Sequence, residues 1–121
     1  MIQHVGLEIR AEKADAEVAF WGLLGFAEVA PPEPSLGERS RWVEDAAGFQ
    51  IHLLWSDSPA VPDTGHVAVV AGWRFDEIVA ALRAAGHEAA PRQEYWGSPR
   101  TQVVSPAGHR VEVMATPPRR D

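Results

Sequence analysis

The feature that most limits the fold of this chain is a repeat of about 60 residues. His4 and His66 stand 62 positions apart, Gly25 and Gly86 stand 61 apart, and the pairs Gly48/Gly108 and His52/Glu112 stand 60 apart. Identity between the halves is poor, yet the glycine punctuation and the polar positions inside apolar runs recur in step. A period of this kind marks one supersecondary unit written twice.

The unit itself follows from hydrophobic periodicity. Residues 2–9 alternate with period two: Val5, Leu7 and Ile9 point one way, and Ile2, His4, Gly6 and Glu8 point the other. Residues 13–24 carry helical spacing through Ala16, Phe20, Leu23 and Leu24, and Gly25 supplies the stop. A short strand begins at Val29, and Pro31, Pro32, Pro34 and Gly37 mark a loop. Strands at 39–45 and 49–55 flank an Ala47–Gly48 turn. After a linker the order restarts: a strand at 66–71, a helix at 75–85 stopped by Gly86, and a short strand at 87–90. A loop from Pro91 to Pro99 follows, then strands at 100–104 and 109–115 about a Pro106–Gly108 turn. The expectation is one α+β domain over 1–121, made of two βαβββ modules. Module 1 covers about 2–55 and module 2 about 65–115, with a linker at 56–64 and a tail at 116–121.

Within this pattern four polar residues hold equivalent places. His52 shares its strand face with Gln50 and Leu54, opposite Ile51, Leu53 and Trp55. His66 is opposite Val67, Val69 and Ala71, and Glu112 is opposite Val111, Val113 and Ala115. With His4, each sits on the side turned away from the aliphatic face that must pack on a helix. A lone strand histidine is ordinarily hydrogen-bonded or exposed, and a lone strand glutamate ordinarily meets solvent. Four in equivalent positions are better explained by a shared divalent cation, because a buried carboxylate and clustered imidazoles all need partners. His87 and His109, directly after glycines, are expected to be exposed and outside the site.

Composition narrows the chemistry. There are no cysteines, so any metal takes nitrogen and oxygen ligands, which suits Zn, Ni, Co, Mn or Fe. A net charge of −6 argues against nucleic-acid binding, and the one basic cluster, Arg119–Arg120, reads as a frayed terminus. No apolar run reaches the roughly 20 residues of a membrane span, and no secretory leader is evident, so a cytoplasmic location is expected.

The stretches QHVGLEI, FWGLLGF, IHLLW, GHVAVV and SPAGHRVEVM together resemble the vicinal oxygen chelate superfamily, which includes glyoxalase I, fosfomycin-resistance proteins, extradiol dioxygenases and bleomycin-resistance proteins. The resemblance covers about residues 2–115. The last stretch is similar to the family's terminal DP-x-G-x-x-hydrophobic-E motif, with Ser105 in place of the usual Asp. It implies an eight-stranded, incompletely closed barrel-like cleft, commonly in a homodimer. It also implies a metal held by His4, His52, His66 and Glu112. His52 departs from the Glu or Gln found there in glyoxalase I, so that activity is not the one expected.

The resemblance further implies a metalloenzyme whose cation acts as a Lewis acid on a small oxygenated substrate, of lyase, isomerase, transferase or dioxygenase type. Glu112, the only carboxylate in the set, is the candidate general base. Glu8, Trp42, Tyr95, Trp96 and Arg100 are candidate pocket residues, although tryptophans also serve as packing. The alternative is a protein that sequesters an antibiotic or metabolite, as bleomycin-resistance proteins do. The acidic charge and aromatic content would then suit a basic, planar ligand.

Overall fold

Each half of the chain pairs its first strand with its last in parallel, and the rest of its sheet follows from that pairing. The computed structural model describes residues 1–119, so Arg120 and the end of the tail lie outside the described residues. The elements are β1 His4–Ile9, α1 Ala14–Leu23, β2 Ala27–Val29, β3 Ser40–Glu44 and β4 Gln50–Trp55, then β5 His66–Val70, α2 Phe75–Ala84, β6 Ala89–Arg92, β7 Arg100–Val104 and β8 Arg110–Met114. Two four-stranded mixed sheets form, in the orders β1-β4-β3-β2 and β5-β8-β7-β6. The chain divides into two compact units, the first Met1–Val61 and the second beginning at Pro62. Among the described residues no helix is long and apolar enough to cross a membrane.

The punctuation read from the sequence acts through specific hydrogen bonds. Gly25 (φ 94°) and Gly86 (φ 89°) take the left-handed conformation that ends a helix. In both cases the following N–H reaches back five residues, Phe26 to the Trp21 carbonyl at 3.0 Å and His87 to the Leu82 carbonyl at 2.9 Å. The two hairpin turns match as well. Asp45 Oδ1 accepts the N–H of Phe49 at 2.9 Å, and Ser105 Oγ accepts the N–H of His109 at 3.1 Å. A hydroxyl oxygen thus does at Ser105 what a carboxylate does at Asp45, so the departure from Asp leaves the turn intact.

Alternation sends one face of each sheet into a core. Ile9, Phe20, Trp21, Val43, Ile51 and Leu53 are buried in the first unit; Ile78, Val79, Leu82, Val103, Val111 and Val113 are buried in the second. Burying a large apolar side chain contributes roughly 1.5–3 kcal/mol. The Trp21 ring meets Phe20 and Phe26 edge-on, and its indole N–H donates to the fully buried Glu17 carboxylate at 3.1 Å. Arg41 on β3 forks onto Glu28 of β2 at 2.7 and 2.9 Å and also reaches Asp15 of α1. These carboxylates hold its guanidinium ionised, with the pKa well above the ordinary arginine range.

Four sequence expectations shift, the first being the second strand, which ends rather than begins at Val29. The first strand begins at His4 rather than residue 2. The sixth runs through Pro91 to Arg92 rather than ending at 90, because it is an edge strand and a proline there removes no interior ladder bond. His109, expected at the surface, is only 4% exposed, since both its backbone groups are tied to Ser105.

The face assignment is tested by two neighbours on β4. Leu53 is fully buried, whereas Leu54 is 39% exposed. Leu53→Ala should cost about 2–5 kcal/mol in urea unfolding, and Leu54→Ala only about 0.5 kcal/mol. Equal losses would mean that the faces are misassigned.

Candidate functional site

The candidate ligands fall into two pairs, one in each unit, set by the same register. On β1 and β4, His4 is level with Gln50, and His52 lies two residues further along. On β5 and β8, His66 is level with Arg110, and Glu112 lies two residues further along. Both pairs are therefore on neighbouring parallel strands, on one face, with an identical offset. Within either unit, among the described residues, no third His, Asp or Glu joins them as a metal-binding group.

In the first unit the His52 ring stacks between two others. Trp42, its register partner on β3, is 3.8 Å away at 7°, and His4 is 4.0 Å away at 14°. Gln50 Nε2 donates to Glu44 at 3.0 Å, which turns the Gln50 carbonyl oxygen to within 2.8 Å of His52 Nε2. That network assigns the proton of neutral His52 to Nε2 and leaves Nδ1 as the lone-pair nitrogen. His4 Nδ1 is likewise engaged, by Gln3 Oε1 at 2.8 Å. His52 is only 8% exposed, and burial, with His4 adding to it, holds its pKa below the ordinary value of 6.5.

In the second unit the Thr64 carbonyl accepts from His66 Nδ1 at 2.9 Å, so the lone pair of neutral His66 is on Nε2. That nitrogen is 3.7 Å from Glu112 Oε1. The same oxygen accepts from Arg100 Nη1 at 2.9 Å. Arg100 in turn donates through Nε to the Gln93 carbonyl at 2.7 Å, and its guanidinium lies 5.1 Å from the Tyr95 ring centre and 5.8 Å from that of Trp96. Trp96 is anchored by its own N–H to the Thr116 carbonyl at 3.1 Å. The loop between β6 and β7 is thus wrapped around one arginine that reaches the acidic candidate ligand. His66, Arg100 and Glu112 line an open groove of about 200 Å³ in this unit.

These contacts correct one premise of the sequence reading. Glu112, 9% exposed, is not an orphan carboxylate, because Arg100 neutralises it; each of the three histidines also has a hydrogen-bond partner. The pairs are satisfied as they stand. Among the candidate pocket residues, Trp42 lies on His52, Arg100 lies on Glu112, and Tyr95 and Trp96 lie against Arg100. Glu8 is exposed and accepts the Ala60 N–H at 3.3 Å. Sequence reasoning gave no role to Glu44, Gln102 or Arg110, and none to Gln50 although it placed that residue on the His52 face. Arg110 stands two residues before Glu112 on the same face, so the same period-two reading could have found it.

No family model matches the sequence, and no curated protein matches it. Solved structures do. Two βαβββ modules with these strand orders form the fold of the vicinal oxygen chelate superfamily. The chain is similar to a protein from Bacillus anthracis assigned to the glyoxalase family, with TM-score 0.82 and 25% identity over 94% of this chain and 93% of that one. It is similar to the fosfomycin resistance protein FosX of Listeria monocytogenes, with TM-score 0.75 and 19% identity over 97% and 90%. A glyoxalase/dioxygenase from Nostoc punctiforme gives TM-score 0.73 and 16% identity over 98% and 92%.

The depressed His52 pKa has a signed consequence. As pH falls through about 6.5 the unfolded chain takes up a proton at this position before the folded chain does. The stability is therefore complete above that pH and is lost as pH falls toward the folded-state value. In urea unfolding between pH 7 and pH 5, His52→Gln should lose stability less steeply than wild type. Identical slopes would contradict the assignment.

Proposed function

We propose that this chain is a divalent-metal-dependent enzyme of the vicinal oxygen chelate type, acting on a small oxygenated substrate. The observation that carries the reading is the repeated offset: donors on the first and last strands of each unit, two residues out of register, on the face turned from the core. His4, His52, His66 and Glu112 would hold the ion. Three imidazoles and a carboxylate suit Mn, Fe, Co, Ni or Zn. FosX, a structural relative, has been crystallised with Mn(II) and a dihydroxypropylphosphonic acid, which makes Mn(II) the first ion to try.

The donors fit such an ion chemically. Each histidine has one ring nitrogen engaged by an oxygen acceptor and the other left as a lone pair, the arrangement that outer hydrogen bonds impose on metal-binding imidazoles. Imidazole lone pairs lie in the ring plane, so the stacked His4 and His52 would need to turn about their side-chain torsions before sharing an ion. When bound, the ion would supply Lewis-acid stabilisation of an oxyanion in the substrate. The residues around it have separate work. Glu44 and Gln50 fix the His52 tautomer, Thr64 fixes that of His66, and Arg100 orients Glu112, the candidate proton acceptor.

A second reading, a protein that sequesters a small molecule without catalysis, is favoured by the Arg100–Glu112 pair, which satisfies the carboxylate without a metal. Calorimetric titration of chelator-stripped protein with Mn(II) and Zn(II) separates the two. The enzyme reading expects about one ion per chain and a loss in affinity of at least tenfold in His66→Ala and Glu112→Gln, with little change in His87→Ala. Uptake below roughly a tenth of an equivalent, or equal losses in all three variants, would contradict it.

A further inference from the structure

The groove over β6, β7, β8 and the start of β5 has a charge pattern that the metal reading does not use. Its acidic lining residues are Asp63 and Glu112, and its basic ones are Arg92, Arg100 and Arg110. Arg100 is spent on Glu112. Elsewhere Arg10, Arg41 and Arg74 are ion-paired with Glu12, with Glu28 and Asp15, and with Glu77, while Arg83 donates to the Ala89 carbonyl. Among the described residues Arg92 and Arg110, like Arg39 and Arg119, have no side-chain hydrogen bond or ion pair, but unlike those two they line this groove. Glu88 shares a neighbouring hollow with Arg110 but does not line this one.

Register fixes where these two cations sit. Arg92 is level with Arg100, Gln102 with Glu112, and Arg110 with Val104. Arg92 and Arg110 therefore bracket, from opposite ends of the face, the row that carries Glu112 and the Gln102 amide. A chain with net charge −6 thus presents a positively charged hollow beside the carboxylate of its candidate site. At about 200 Å³ the hollow takes a small molecule rather than a drug-sized one.

We propose that this groove binds the oxyanion of a small ligand, a carboxylate, phosphate or phosphonate group, with Arg92 and Arg110 as the charge-assisted donors and Gln102 as a neutral one. This deepens the preceding reading by making the substrate an acid, and it is the opposite of the basic ligand that the overall charge suggests. It rests on that reading only in placing the ligand's other oxygens near the ion. The arginine contacts require no metal.

The test is an NMR titration of the full chain, kept in a chelator at fixed ionic strength. The probes are lactate, inorganic phosphate and methylphosphonate, with lactamide as the uncharged match for lactate. At least one anion should bind and shift the amide signals of Arg92, Gln102 and Arg110, while lactamide does not. Arg92→Gln and Arg110→Gln should each weaken binding about tenfold, whereas Arg74→Gln, the same loss of charge elsewhere, should leave it unchanged. Arg92 lies on the exposed edge strand, so its variant carries the test even where Arg110→Gln unfolds. Lactamide binding as tightly as lactate, equal weakening by Arg74→Gln, or no anion binding by about 20 mM would overturn the proposal. Failure to take up Mn(II) would count against the metal reading alone, since these titrations contain none.

Discussion

Everything at the candidate site depends on the parallel pairing of β1 with β4 and of β5 with β8. Parallel neighbours cannot be joined by a tight turn, so each unit must send its chain through a helix and an antiparallel hairpin before the last strand returns. That detour covers one face of the sheet with apolar packing. It leaves the other face of each parallel pair to the candidate polar side chains. Because the return is made twice with the same turn bonds and the same helix stops, the polar positions fall at the same offset in both units. The repeat in the sequence is therefore a repeat in register.

Complementary partners hold the polar faces, and the two units use different ones. The first unit relies on ring stacking and a carboxylate–amide–imidazole chain, in which burial, with His4 adding to it, disfavours the protonated form of His52. The second relies on an ion pair, with Arg100 supported by a backbone carbonyl and two aromatic rings. Removing one partner of such a buried pair typically costs about 3–5 kcal/mol, so Arg100 and Glu112 are structural to each other whatever else binds there. Glu112→Gln keeps an acceptor for Arg100 and is for that reason a cleaner probe than truncation.

The fold was legible because its markers are local. Gly25 and Gly86 stop helices, and Asp45 and Ser105 close equivalent turns; each acts within five residues of itself. The placement of His4, His52, His66 and Glu112 on one face of each sheet was legible from period-two alternation alone. What could not be read was long-range. Arg100 reaches Glu112 on the neighbouring strand along a diagonal, and no spacing rule in the sequence distinguishes it from an arginine that faces solvent. The burial of His109 escaped for a related reason: position after a turn glycine suggests exposure, but the Ser105 bonds pull the residue inward. Net charge is also a coarse guide to a ligand, since −6 averages over a surface that includes a groove lined by Arg92, Arg100 and Arg110.

The central claim is that the two equivalent pairs supply the ligands of one divalent ion. X-ray absorption spectroscopy on protein loaded with about one equivalent of Zn(II) or Mn(II) tests it most directly, because imidazole rings leave a countable multiple-scattering signature. The account predicts a first shell containing three imidazoles and one carboxylate oxygen, completed by water. A shell of oxygens alone, or one with a single imidazole, would contradict it.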